Sequence, residues 1–238
     1  MRDRQKWSFG LTAVVLIVCI VLFLNYSSRR IFRRDQEQPH SFDGEEYLTA
    51  VEERGEVQLL VDKSNVKSIV EQMEPPEQFY WSTATTLTSE DGAKESTCRY
   101  WQKGDRAKAE LLDGETLVQT VLRTGDTVTV QNPASGASYS ASYSLQYSPQ
   151  ALTGTADLRF FLDTDSRYIR TAQLLEYQGE QVLYVEYEFE DLDQVERHWL
   201  SLDYGIPLRS ESQVGGQTVY TGETVLFDTS APDDSVFQ

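Results

Sequence analysis

At Pro75-Pro76 the hydrophobic period of this chain switches, and the switch decides its fold class. Before it, Val66, Ile69, Val70 and Met73 fall at i, i+3, i+4 and i+7, one face of a helix over 64–74. Asp62 or Ser64 would cap that helix, and the two prolines end it. After it, runs rich in Thr, Val, Tyr, Phe and Trp alternate at period 2. Segments 78–87, 95–102, 106–112, 115–122 and 127–131 are divided by turn residues such as Glu90-Asp91-Gly92, Asp113-Gly114 and Thr124-Gly125-Asp126. Such closely spaced hairpin punctuation predicts an antiparallel meander. It resumes through 168–177, 181–190, 195–202, 206–213 and 218–227. A sheet of about ten strands must curl, because strand twist accumulates. Its apolar concave face needs a cover, and the 64–74 helix is the expected one.

Other segments are less decided. In 181–190, Leu183, Val185, Tyr187 and Phe189 alternate with Tyr184, Glu186, Glu188 and Glu190, which predicts one buried face and one solvated acidic face. Between the two meanders, 134–148 spaces Tyr139, Tyr143 and Tyr147 four apart, a pattern that suits helix and strand equally. Residues 156–162 read as a helix crossing one end of the sheet, 46–54 as a short helix and 57–61 as a first strand. The tail 229–238 is expected to be extended, with Val236 and Phe237 docked.

Residues 9–24 carry no charge, and with Trp7, Ser8, Asn25 and Tyr26 they make about 20 residues, or about 30 Å of helix, the thickness of a bilayer. Trp7 and Tyr26 mark the two interfaces. No A-x-A follows for signal cleavage, and Cys19, preceded by Val18, lies mid-span rather than at a lipidation site. Three Lys/Arg precede the span and four Arg follow it. That balance favours a cytoplasmic C-terminus. The very short N-terminal tail favours export of the chain after the span, and export is the expectation adopted. The division is then a tail and transmembrane helix at 1–26, a juxtamembrane linker at 27–45 and a β-rich domain at 46–238.

The net charge is −17. The basic residues of 1–34 leave 14 Lys/Arg against 37 Asp/Glu in the rest. So acidic a domain is repelled by phosphate backbones, which excludes nucleic acid as a partner. Two cysteines, Cys19 in the span and Cys98 in the domain, form no internal disulfide, and Cys98 reads as a buried hydrophobe.

Catalytic signals are sparse. His40 lies in the linker, and His198 reads as a surface or edge residue. A Ser-His-Asp site would need a serine beside His198, and no G-x-S-x-G elbow is present. No Cys/His cluster matches zinc, and no phosphate loop or dinucleotide fingerprint occurs. Asp163/Asp165 and Asp191/Asp193 read as solvated turns, not calcium loops, and Glu186, Glu188 and Glu190 as the wet side of a strand. The expectation is no catalytic residue, no metal and no cofactor. Aromatic residues are the remaining candidates. Phe79, Trp81, Trp101, Tyr187, Phe189 and Trp199 are expected to line an apolar cavity on the concave face.

The segment Trp199-Leu200-Ser201-Leu202-Asp203-Tyr204-Gly205-Ile206-Pro207-Leu208-Arg209 resembles the strand–turn–strand of LolA-like proteins. Gly216-Gln217-Thr218-Val219-Tyr220 and Asp233-Asp234-Ser235-Val236-Phe237 resemble that family's next strand and its ending. The resemblance implies an α+β, mainly antiparallel fold: a LolA-like half-barrel, an unclosed sheet wrapped over helices, with an apolar cavity. Such proteins include periplasmic lipoprotein carriers, regulators of envelope-stress sensors, and membrane-attached lipoproteins of spore formers, one of which supports a cortex-modifying amidase. Here the implied module is tethered by 7–26 and non-catalytic. Its implied partner is a lipid, a lipoprotein acyl chain or an envelope protein. The alternative is a scaffold or activator of a cell-wall enzyme or envelope sensor, with no small ligand.

Overall fold

The structure, a computed structural model, describes residues 60–238. The expected span at 7–26, the linker at 27–45, the helix at 46–54 and residues 57–59 of the expected first strand lie outside the described residues. Leu60 and Val61 belong to no strand.

Eleven strands form one antiparallel sheet, one more than the turn spacing suggested. They are β1 (Gln78–Ser89), β2 (Gly92–Lys103), β3 (Arg106–Asp113), β4 (Thr116–Thr124), β5 (Thr127–Gln131), β6 (Ser138–Ser142), β7 (Ile169–Tyr177), β8 (Glu180–Phe189), β9 (Gln194–Ser201), β10 (Pro207–Val214) and β11 (Gln217–Asp228). Their spatial order is β6-β5-β4-β3-β2-β1-β11-β10-β9-β8-β7. The first meander runs outward from the centre to β6, and the second runs inward from β7 until β11 pairs with β1. Among the described residues the sheet is not closed, and β6 and β7 are its edges.

This topology explains the interruption between the meanders. The chain leaves the sheet at one edge and re-enters at the other, so residues 143–168 must cross the sheet. They do so as a 3-10 turn (Leu145–Tyr147), two helices and a second 3-10 turn (Ser166–Tyr168). We label the first helix of the described residues, Val66–Glu71, α1; the two in the crossing are α2 (Pro149–Thr153) and α3 (Leu158–Asp163). Ser148 caps α2 by accepting from Ala151 N–H at 3.2 Å, with Pro149 in the first turn. Asp157 caps α3 by accepting from Arg159 N–H at 2.9 Å. Contacts trace the path: Thr83 of β1 donates to Thr153 O at 3.0 Å, Tyr220 of β11 donates to Gly154 O, and Phe160 and Phe161 of α3 lie on the rings of Tyr187 (β8) and His198 (β9).

Among the described residues three helices lie along the sheet: α1, within the expected cover 64–74; α3, close to the helix expected at 156–162; and α2, which the sequence did not signal. Beneath the crossing, Phe79, Trp81, Tyr100, Ala107, Ala109, Val121, Val128 and Tyr147 form one buried cluster. Val66 and Val70 of α1 join Phe161, Leu183, Val185, Tyr187 and Leu200 in a second. Cys98 is buried, as expected. Helix α1 is shorter than the periodic run 64–74, and neither expected cap closes it. Asp62 instead binds Ser64, accepting from its N–H at 2.7 Å and its hydroxyl at 2.6 Å, while Asn65 occupies the cap position without capping the helix, its side chain accepting from Asp62 N–H at 3.0 Å and donating to Leu60 O at 2.7 Å. Gly205, at φ +60°, turns β9 into β10, and a Cβ there would lie 2.9 Å from Met73 Cβ, just past α1. The tail ends in a 3-10 turn, Asp234–Phe237, not an extended segment. Asp234 accepts from Lys103 Nζ at 2.7 Å and Arg106 Nη2 at 2.8 Å, and Arg106 stacks 5.1 Å over Phe237.

Candidate functional site

The six aromatic candidates occupy three places. Phe79 and Trp81 meet edge to face at 6.3 Å in the first cluster. Trp81 is fully buried; its indole N–H donates to Thr224 Oγ1 at 2.9 Å, and that hydroxyl donates to Pro207 O at 2.7 Å. Tyr187 and Phe189 stack at 6.4 Å in the second cluster. Trp101 and Trp199 lie on the opposite, outer side of the sheet. Register puts them there: Trp101 pairs with Tyr80, one residue off the Trp81–Tyr100 pair, and Trp199 is one residue past inward-facing His198. Trp101 packs on Tyr80 at 5.1 Å, and Trp199 packs on Tyr184 at 5.0 Å with Arg209 above its ring. Period 2 assigns faces within one strand, but it does not align neighbouring strands.

Of the inward-facing candidates, Phe79, Trp81 and Tyr187 are at most 3% exposed and Phe189 is 9% exposed. Between Tyr100, Ala107, Ala109, Val121, Arg123, Tyr147 and Leu152, under β2–β4, the space admits no water-sized molecule. An open depression of about 430 Å³ lies near the β3–β4 turn, between Thr97, Arg99, Glu110, Leu112, Gly114, Glu115 and Leu117. Arg99 and Glu110 face each other there at 4.0 Å.

His198 is not a surface or edge residue. It sits at 3% exposure in the middle of β9, under Phe160 and Phe161. The sequence placed it beside Trp199 but held no sign that the crossing helix would cover it. Its Nδ1 lies 3.1 Å from Ser210 Oγ, across the β9–β10 pair. Its Nε2 has no hydrogen-bond partner and points toward Glu196 Oε2 at 3.9 Å. Tyr187 Oη is likewise buried without a partner. Glu196 is held by Ser212 Oγ at 2.6 Å and by the Gln194 amide.

A serine, a histidine and a glutamate thus come together, yet they are poorly set for catalysis. Burial pushes the His198 pKa down to about 3, whereas a general base works best near the ambient pH. Burial also raises the Glu196 carboxyl, against its two hydrogen bonds. Ser210 is 3% exposed, and the carboxylate stands beyond hydrogen-bond reach of the imidazole. The cluster holds a neutral ring in place and offers a substrate no approach. Among the described residues no group of three His, Cys, Asp or Glu is placed to hold a metal ion.

The acidic face of β8 also departs from expectation. Glu186 is only 8% exposed and belongs to a ladder running across the outer side of four strands. Arg197 binds Glu186 at 2.6 Å and Glu211 at 2.8 Å, and Arg209 binds Glu211 at 3.2 Å and Glu223 at 2.6 Å. Tyr184 and Tyr177 donate to the two end carboxylates, Glu186 and Glu223. These residues sit side by side in register, so each charge meets its opposite on the next strand. The two arginines come from separate strands, β9 and β10, which is why alternation within β8 alone read as solvent.

No protein-family model matches the sequence, and no curated protein matches it. Solved structures do. The chain is similar to MucB, known also in a Pseudomonas aeruginosa MucA/MucB complex. The free MucB match has a TM-score of 0.49 and 14% identity, over 74% of this chain and 62% of that one. The chain thus spans about three-fifths of MucB. It is also similar to a LolA superfamily protein from Nitrosomonas europaea, at TM-score 0.35 and 14% identity, over 75% of this chain and 98% of that one. A third match is the Mycobacterium tuberculosis lipoprotein LppX, at TM-score 0.38 and 10% identity, over 73% of this chain and all of the other. The resemblance read from residues 199–237 and the unclosed sheet wrapped over helices point to the same LolA-like half-barrel.

Proposed function

We propose that this chain is a membrane-tethered, extracytoplasmic module that binds a protein partner of the cell envelope and performs no catalysis. The observation that carries the reading is the filled concave face. Trp81, Tyr100, Phe161 and Tyr187 are each at most 1% exposed, so the place where a half-barrel would hold an acyl chain is occupied by the domain's own side chains. A lipid would have to displace the crossing helices and expose that core. A protein partner needs no such opening. Sealing of the His198 cluster supports the absence of catalysis. The uncharged stretch 9–24 supports the tether. The MucA/MucB complex shows a protein partner for a protein with a similar fold. Whether the partner is an envelope sensor or a cell-wall enzyme is for the following experiment to decide. The full chain is isolated from its native membranes in mild detergent and its stoichiometric companions are identified. One stable protein companion is expected. Isolation without a protein companion, but with a stoichiometric lipid bound to the domain, would refute the proposal.

A further inference from the structure

Among the described residues no strand pairs with the outer side of β6 or of β7, and these two edges differ in how they are guarded. An exposed edge presents unpaired backbone groups to any other strand, and proteins usually guard such edges with charge, proline or a bulge. Edge β7 is guarded. It carries Arg170 and Glu176, and its register shifts between Ile169 and Thr171. Edge β6 has none of these devices. Its sequence is Ser-Tyr-Ser-Ala-Ser, its pairing with β5 is regular throughout, and four of its five residues are exposed. It lies within 127–156, which contains no Asp, Glu, Lys or Arg although the whole chain carries −17.

The hydrogen-bond phase fixes which groups are free. Asn132 N–H donates to Ala137 O at 2.9 Å, and Tyr143 N–H donates to Asp126 O at 2.8 Å. In an antiparallel pair the bonded residues alternate. Residues 137, 139, 141 and 143 therefore face β5, and the N–H and C=O groups of Ser138, Ser140 and Ser142 face outward. Beside them lie two exposed apolar side chains, Tyr139 at 57% and Leu145 at 46% exposure. Backbone groups supply affinity and a neighbouring apolar surface supplies selectivity: these are the parts of a strand-addition site.

From this we infer that β6 is the docking edge for an extended segment of the partner protein, uncharged where it pairs and basic on its flanks. The inference rests on the protein-binding reading above and locates it. The basic flanks follow from charge complementarity with a strongly acidic domain. The same acidity opposes a second copy of this chain at the edge, since two chains of −17 would be brought together.

The test uses the full chain in nonionic detergent and a labelled probe peptide, Lys-Lys-Thr-Val-Thr-Val-Gln-Lys-Lys. Its centre is the β5 sequence, which already pairs with the other edge of β6. Probe binding is followed by fluorescence anisotropy, and amide exchange is read at Ser138, Ser140 and Ser142. Ser140→Pro removes an outward N–H and no bond to β5. Ser140→Ala removes only the hydroxyl contact to Thr129 Oγ1 at 3.1 Å. The expected result is protection of the three serine amides, with affinity unchanged in Ser140→Ala and reduced by about tenfold or more in Ser140→Pro. An unchanged urea midpoint for Ser140→Pro shows that its fold is intact. If that midpoint falls, Ser140→Lys, which keeps the N–H and places a cation against the basic flanks, must weaken probe binding instead. Unprotected amides, or equal affinity in both the proline and lysine variants, would overturn the inference. So would a dimer of the full chain that Ser140→Pro abolishes, because the edge would then belong to a second copy. If the wild-type chain keeps its native companion and Ser140→Pro keeps it equally, the protein-binding reading stands and the β6 site falls. If the wild-type chain has no companion, the broader reading falls first.

Discussion

Consider replacing His198 by Asn. An Asn amide can still meet Ser210 Oγ, but it cannot titrate. Burial lowers the folded-state pKa of His198 to about 3, whereas an unfolded chain leaves histidine near about 6.5. The folded state thus binds fewer protons than the unfolded state between those two values. The neutral ring's contribution is fully present above the unfolded pKa and is lost as pH falls from about 6.5 toward about 3. From pH 7 to pH 4.5 the loss is about 2–3 kcal/mol. Glu196 works in the opposite sense: its raised carboxyl takes up a proton in the folded state first, which stabilises the fold as pH falls. That contribution is common to both proteins and cancels in their difference. Urea unfolding of the full chain in nonionic detergent, followed by tryptophan fluorescence, gives the stability of wild type and His198→Asn at both pH values. The variant loses packing at every pH, so it is less stable at pH 7. The gap should close by about 2–3 kcal/mol at pH 4.5. A gap that stays constant would refute the claim that His198 is buried and neutral.

Three further predictions concern the core. Thr224→Val leaves the Trp81 indole N–H and the Pro207 carbonyl unpaired in a buried place, and should cost about 2–4 kcal/mol in urea unfolding, whereas Thr224→Ser should cost much less. Gly205→Ala puts a side chain at φ +60° against Met73 and should destabilise by about 1–3 kcal/mol in the same assay. Cys98, with its thiol pushed up to about 12 by burial, should react with a disulfide reagent at pH 8 only after urea unfolding, read in a Cys19→Ser background.

The sheet was legible because period 2 and hairpin residues are local signals. The runs from β1 to β5 and from β7 to β11 were read to within a few residues. Strand β6 was not, because Tyr139, Tyr143 and Tyr147 spaced by four suit both periods, and pairing with β5 decided between them. Helix α2 was missed altogether. Its five residues are set by the cap at Ser148 and by the need to carry the chain over β1, and neither shows as periodicity. The burial of His198 follows from the same crossing. So does the scattering of the six aromatic candidates, since no signal within a strand reports its register against the next. The charge ladder shows the converse: Glu186 read as wet because its arginines arrive from other strands.

The central claim is that the hollow of the half-barrel is filled by the chain's own side chains. Its most direct test is native mass spectrometry of the folded domain, released from the proposed N-terminal anchor through a protease site placed in the 27–45 segment. The account predicts the mass of the polypeptide alone. A stoichiometric acyl-chain ligand that leaves only on unfolding would contradict it.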